Sequence, residues 1–272
     1  MPHDFLAPVT RNVDLGHDHW LIEFESGDRF VSMCAGEFFM IGVPGSEALL
    51  RRPFSVCGID GTFEDAEPGR TQVLYKVFGK GTALIASLRP GSPLSVLGPL
   101  GHGFGDPPDG RRPVFVAGGI GSAPFPLLAR QLAGRAPAPT MFYGARTASD
   151  LPLLDWFREA CDRVEVSTDD GSAGVHGRVT EPLDRWLAET GEPEPMLYAC
   201  GPDPMLRATA ALAKRHDVPC ELALEAHMAC GFGVCIGCVV PTKTATPGQF
   251  EYTRLCIDGP VLPAERMAWD LG

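Results

Sequence analysis

The sequence predicts an α+β multi-domain chain: an antiparallel β-barrel over residues 1–105, an α/β parallel-sheet domain over 106–222 and a small C-terminal segment over 223–272. Three observations carry that expectation. Short β-rich segments separated by turns fill the first part of the chain, strands then alternate with helices, and near residue 222 the regular pattern gives way to a stretch crowded with cysteine and glycine. A length of 272 residues suits two domains of about 100–150 residues with an appendage.

The barrel rests on "WLIEFES", "RFVSM", "FFMIGVP", "PFSVCGI", "TQVLYKVFG" and "SPLSVLGP", with "LIASLRPG" as one short helical interruption. The linker "GFGDPPDGRRP" is rich in Gly, Pro and charge. Beyond it, "PVFVAGG", "TMFYGAR", "RVEVSTDD" and "MLYACGP" read as strands, and "SAPFPLLARQLAG", "DLPLLDWFREAC", "TEPLDRWLAE" and "DPMLRATAALAKRH" as the helices between them. Such alternation makes a parallel sheet.

Composition narrows the function. The formal charge is −11, with 23 basic against 34 acidic side chains, and no Lys/Arg cluster is present to neutralise a phosphate backbone, so nucleic acid is not the expected partner. The longest uncharged run, Pro113 to Ala129, is 17 residues broken by Gly and Pro, short of the roughly 20 apolar residues of a membrane helix. Nine cysteines form an odd set, and "MPHDFLAPVT" lacks the basic start and apolar core of a signal peptide; a reducing cytoplasm is the expected compartment.

The strongest chemical signal lies in the tail. Cys230, four residues, Cys235, two residues, Cys238, then seventeen residues to Cys256 is the plant-type order of ligands for a [2Fe-2S] cluster. Gly231, Gly233 and Gly237 let the loop bend and turn backbone N–H groups toward sulfur. Four thiolates also suit structural zinc, but zinc sites usually pair their ligands in two short knuckles.

Weaker signals lie upstream. In "RRPFSVCGI", Arg52 offers a cation for a pyrophosphate, Phe54 a ring surface for a flavin, and Ser55 a hydroxyl for the flavin edge. "GKGT", with Gly81 and Thr82, adds backbone amides and a hydroxyl suited to phosphate. "VAGGIGSAP", with Gly119 and Gly121, follows a strand and opens a helix, where a dinucleotide phosphate meets helix N-terminal amides; Pro124 stands where a third glycine would complete the dinucleotide fingerprint. "STDDGS" and "ACGPDPM" occupy carboxyl ends of strands, where open α/β sheets bind ligands. Asp169 and its neighbour Asp170 favour NADH over NADPH, since carboxylates repel a 2′-phosphate and accept from a free 2′-hydroxyl; a solvated turn would use the same residues. Cys200, next to Gly201, is a buried thiol by default, yet its place is beside a nicotinamide, so Ser55 and Cys200 are the catalytic candidates.

Together, "RRPFS", "YKVFGKGT", "GPLGHGF", "GGIGSAP", "TDDGS", "CGPDPM", "EAHMACGFGVCIGC" and "CIDGPVL" cover nearly the whole chain, and in that order they resemble the electron transfer subunits of NAD-dependent, heteromeric dihydroorotate dehydrogenase, within the wider ferredoxin-reductase group. The most specific piece is "E..MACG.G.C..C" followed by "C.DGPV"; His227 stands where many relatives have Arg. The resemblance implies an FAD-binding barrel, an NAD-binding α/β domain and a C-terminal [2Fe-2S] segment. It implies FAD contacts at Arg52, Pro53, Phe54, Ser55, Leu74, Tyr75, Lys76, Gly81 and Thr82, and cluster ligation by Cys230, Cys235, Cys238 and Cys256. It also implies a partner, an FMN-containing dihydroorotate dehydrogenase catalytic subunit in a heterotetramer, with electrons passing by way of the cluster and FAD to NAD.

Electron counting agrees. A hydride carries two electrons and a [2Fe-2S] cluster changes by one, so a flavin is needed between them. No pyrimidine site or long (β/α)₈ pattern is evident in the chain, so a partner is expected. Met228, Phe232, Val234 and Ile236 crowd the ligands as an apolar collar, either a docking surface or a shield against water. Two alternatives stand beside this reading: a reductase subunit of a hydrogenase, a ferredoxin:NAD(P) complex or an oxygenase, and a zinc-containing module that senses a nucleotide.

Overall fold

A computed structural model describes residues 2–63, 67–108, 110–189 and 194–269. In its first sheet, β1 (His3–Gly16), β2 (His19–Glu25), β3 (Phe38–Gly42), β4 (Arg52–Ser55), β5 (Gly58–Ile59), β6 (Arg70–Lys76) and β7 (Pro93–Leu100) pair antiparallel in the order β4-β3-β7-β1-β2-β6-β5. Its two edge strands are consecutive in the chain. Only Val56 and Cys57 separate them, and the Val56 amide donates to Glu37 O while the Cys57 amide donates to Gln72 O. One stretch of chain thus leaves β3 and joins β6, curling the sheet into a barrel around Phe24, Phe30 and Phe39.

Three details of the barrel differ from the sequence expectation. The longest strand, β1, gives no clear strand signal, because it carries Pro8 and buries few large apolar side chains; pairing along both sides, to β2 and β7, supplies what propensity does not. "RFVSM" is not a strand: a 3₁₀ turn over Gly27–Phe30 ends there and tucks Phe30 into the core. The helix α1 (Lys80–Ala86) begins before "LIASLRPG", because Thr82 Oγ1 accepts from the amides of Phe78 and Gly79 at 3.0 and 3.2 Å and fixes the first turn.

The second sheet contains β8 (Arg112–Gly118), β9 (Thr140–Ala145), β10 (Arg163–Thr168), β11 (Val175–His176), β12 (Pro195–Cys200) and β13 (Cys220–Ala223). All six run parallel, in the order β11-β10-β9-β8-β12-β13. Every residue of β12 is buried, the mark of a central strand covered on both faces. The helices α2 (Phe125–Leu132), α3 (Leu154–Ala160), α4 (Thr180–Glu189) and α5 (Asp203–Arg215) connect and cover the strands. In α5, Asp203 lies in the first turn and Lys214 and Arg215 in the last, matching the helix dipole.

Regular structure resumes in the tail, where the sequence suggests none. β14 (Val239–Lys243) and β15 (Phe250–Arg254) form a hairpin, followed by the single turn α6 (Leu255–Asp258) and by β16 (Val261–Pro263). β16 pairs antiparallel with β13, adding a seventh strand to the parallel sheet. The tail also touches the barrel: the His102 amide donates to Gly259 O at 2.6 Å, and Gly231 packs against Met40 and Leu100.

Barrel and parallel sheet meet along α2. Arg130 donates to the carbonyls of Ile59 and Asp60, and Gln131 pairs with Met33 O at 2.8 Å and the Ala35 amide at 3.0 Å. The sheets' strand ends face each other across a cleft.

Candidate functional site

That cleft holds about 620 Å³. The barrel contributes Arg52, Pro53, Phe54, Ser55, Leu74, Tyr75, Lys76, Gly81 and Thr82, which is every flavin contact named from the sequence; the parallel sheet contributes Gly121, Cys200 and Gly201. Gly119 and Asp169 do not line it. Gly119 directly precedes the lining residues Ile120 and Gly121, and Asp169 follows β10, two strands out from β8.

Each wall has a local cause. Arg52 opens β4, its Nη1 donating to Leu50 O, and its guanidinium lies over Gly81: a Cβ there would stand 2.6 Å from Arg52 Nε, so glycine makes room for the cation at the start of α1. Phe54 and Tyr75 meet edge to face, centroids 5.9 Å apart, across the gap between β4 and β6. Phe78, 79% exposed, stands on the rim and was not anticipated. A cation, free amides and ring-sized apolar walls suit a flavin dinucleotide.

On the opposite wall the chain turns sharply at 119–122 between β8 and α2. Gly121 has no alternative there, because a Cβ would lie 2.4 Å from Cys200 O. The buried Tyr143 hydroxyl holds the turn: its single proton is shared between Pro152 O at 2.9 Å and Gly119 O at 3.2 Å, and Ser122 Oγ lies 2.8 Å away, able to donate to it. Cys200 is 5% exposed, and burial pushes its thiol above the usual value, so it is neutral at pH 7. Asp170 accepts from both the amide and the hydroxyl of Ser172, which holds its carboxyl below the usual range.

The tail lines the same cleft with Leu224, Glu225, Ala226, Met228 and Pro260, a contribution the sequence does not disclose beyond the collar residue Met228. Glu225 keeps part of its surface in solvent, yet the protein atoms packed around its carboxyl desolvate it and raise it above its ordinary value. Two residues past Met228 comes Cys230. The hairpin explains the distant fourth cysteine: Val239 pairs with Arg254 and the Leu255 amide donates to Cys238 O at 3.0 Å, which sets Cys238 beside Cys256. Both are buried, Cys230 is half-buried and Cys235 exposed.

Backbone geometry favours the Cys230 sulfur as thiolate. Burial opposes the charge on Cys230, but the amides of Cys235, Phe232 and Val234 outweigh it and pull the thiol down to about 6. Cys256, buried and beside Cys238, is pushed up to about 12. The loop bends in the left-handed region at Gly231, Gly233 and Ile236; for a β-branched residue that conformation is strained and marks a constrained site. The donor set of four thiols with amides aimed at sulfur fits an iron–sulfur cluster.

Fold and site together define an NAD-linked flavin and iron–sulfur oxidoreductase subunit built on the ferredoxin-reductase fold. Residues 115–211 match the oxidoreductase NAD-binding domain, and residues 225–268 match the iron-sulfur cluster binding domain of dihydroorotate dehydrogenase B. The chain is 33% identical over 267 residues to the dihydroorotate dehydrogenase B (NAD(+)) electron transfer subunit of Desulforamulus reducens, with 98% of each chain covered, and 41% identical over 234 residues to that of Bacillus caldolyticus, with 84% of each covered. A solved structure described as an NADH-dependent reduced ferredoxin-NADP oxidoreductase, studied for flavin-based electron bifurcation, superposes with a TM-score of 0.81 at 28% identity, covering 98% of this chain and 91% of that one. The chain belongs to the family of dihydroorotate dehydrogenase B electron transfer subunits. Its cofactors are FAD, a [2Fe-2S] cluster and NAD.

Proposed function

We propose that this chain carries electrons between NAD and an FMN-containing dihydroorotate dehydrogenase catalytic subunit, within a cytoplasmic heterotetramer that serves pyrimidine synthesis. The observation that carries the reading is that one cleft is lined by the barrel, by the strand ends of the parallel sheet and by the tail two residues before Cys230. When bound, the flavin exchanges a hydride with NAD and single electrons with the cluster.

The residues divide the work. Arg52, Gly81 and Thr82 hold the flavin pyrophosphate, Pro53, Phe54, Leu74, Tyr75 and Lys76 wall its rings, and Ser55 offers a hydroxyl to the flavin edge. Gly119 and Gly121 receive the dinucleotide phosphates at the head of α2, Cys200 and Gly201 face the nicotinamide, and Asp169 favours a free 2′-hydroxyl. Cys200, neutral, serves by shape rather than by proton transfer. Cys230, Cys235, Cys238 and Cys256 ligate the cluster. Division of the chain at 1–105, 106–222 and 223–272 follows these roles.

The exposed collar is the partner's docking face. Phe232, Val234 and Ile236 are 51%, 72% and 63% exposed around the cysteines, and Phe250 and Tyr252 extend the patch along the hairpin. Contiguous exposed apolar side chains of this size mark contact sites for other proteins, which supports the docking reading.

Visible and EPR spectra of the anaerobic protein before and after NADH test the reading: flavin bands that bleach and a reduced [2Fe-2S] signal that appears are expected, and a colourless protein holding zinc would overturn it. Arg52→Ala should raise the dissociation constant of FAD by about 10–100-fold, the worth of one charged hydrogen bond, in a flavin fluorescence titration. The similarity to the NADH-dependent ferredoxin-NADP oxidoreductase favours a second reading, in which the partner handles ferredoxin. Co-purification from native cells, with dihydroorotate and reduced ferredoxin offered in turn, separates the two.

A further inference from the structure

Lys76, the last residue of β6 and part of the cleft lining, forms an ion pair with Asp150 of the parallel-sheet domain, and the two side chains are only 22% and 21% exposed. Directly opposite Lys76 on β2 is His19, 2% exposed, its Nε2 without a partner and its charged form disfavoured by burial and by Lys76. Asp150 is therefore the counter-charge of Lys76, and Lys76 holds the Asp150 carboxyl below its ordinary range.

Asp150 belongs to a block that reaches both ends of the nucleotide path. Its amide donates to Thr147 O at 3.0 Å and its carboxylate accepts from Thr147 Oγ1 at 3.3 Å. The Ala148 amide donates to Ser172 Oγ at 2.8 Å, and Ser172 in turn holds Asp170 in the turn after β10. At the other end, Asp150 O lies 3.8 Å from the position of a Cβ on Gly119, and Tyr143 binds the same glycine turn to Pro152. The glycine turn, the 147–152 loop and the "TDDGS" turn are one hydrogen-bonded unit. Lys76 ties that unit to the barrel, a link separate from the seam made by Arg130 and Gln131.

We propose that Asp150 is a positioning residue for hydride transfer: by holding Lys76 it sets the nucleotide-binding strand ends at a fixed distance and angle from the flavin-binding barrel. The inference rests on the NAD-linked reading above. Asp150 itself does not line the cleft but its partner Lys76 does, so FAD retention is measured beside flavin reduction to tell misplaced strand ends from an altered flavin wall. Reacting atoms must approach closely for hydride transfer, and misplacement by about 1 Å can cost on the order of 100-fold in rate.

The test is Asp150→Asn in the full chain, with Asp150→Glu as the conservative rescue. FAD content and the NADH dissociation constant should change less than about 3-fold, while stopped-flow flavin reduction by NADH slows at least ~10-fold and the Glu variant recovers most of the rate. Amide hydrogen exchange supplies a readout independent of turnover: faster exchange confined to residues 75–77, 118–122 and 147–152 is expected in the Asn variant. Wild-type reduction rates in that variant, or exchange unchanged in all three segments, would overturn the assignment. If NADH fails to reduce the flavin of the unmodified chain, the function reading falls, and the exchange measurement still decides whether Asp150 fastens the two bodies together.

Discussion

Cys200, at the end of β12, and Cys230, at the head of the glycine-rich loop, are the same side chain in opposite surroundings. Cys200 stands where parallel strands have spent every amide on the ladder, so burial governs and the thiol is pushed up. Cys57 and Cys220, also buried in or beside strands, are pushed up in the same way. Around Cys230 the backbone bends in the left-handed region, its amides have no ladder to join, and three of them turn to sulfur. The difference teaches that unpaired backbone amides lower a thiol while burial against a saturated ladder raises it; Cys256, buried at the foot of the hairpin, falls with the raised group although it belongs to the proposed ligand set.

Breaking the loop should give the largest effect. Cys235→Ala is expected to empty the chain of iron and to cut electron delivery to the partner well beyond the ~10–100-fold typical of changes around a metal's ligands, while NADH still reduces the flavin; iron analysis, EPR and a partner-linked assay check it. Retention of full partner turnover would remove the cluster from the route. Gly121→Ala attacks the other region, driving a methyl into Cys200 O; a stability loss of about 1–3 kcal/mol with weaker NADH binding and unchanged iron is expected from thermal melts and titration. Cys200→Ala should cost only about 1 kcal/mol and leave iron and EPR intact. A lost EPR signal in that variant would dissolve the distinction between the two thiols.

The smallest effect is on pH. The Asp150 carboxyl is depressed in the folded chain, so its contribution is complete above the ordinary aspartate value and lost as pH falls through the lower folded one. Melting temperatures below about pH 4 should therefore fall less steeply for Asp150→Asn than for the unmodified chain.

Much of this was legible beforehand, for physical reasons that differ by region. The fully buried strands β8, β9 and β12 are continuous apolar runs, and α4 and α5 carry helical periodicity, so both classes stand out in the sequence. β1 did not, since its stability comes from two neighbours rather than from its own residues. The barrel side of the cleft was readable because Arg52, Gly81 and Thr82 are chemically distinctive; Phe78, Glu225 and Pro260 reach the cleft through tertiary folding alone, and no local pattern announces that. The hairpin that delivers Cys256 was hidden by its polar, proline-containing strands.

β16 has a consequence for the life of the chain outside its complex. Without it β13 would be an open parallel edge, a row of unpaired amides and carbonyls inviting another molecule to add a strand. The cover for that edge lies five residues after Cys256, so the last strand of the tail closes the sheet that the middle of the chain builds, and the edge stays paired only while that segment is in place.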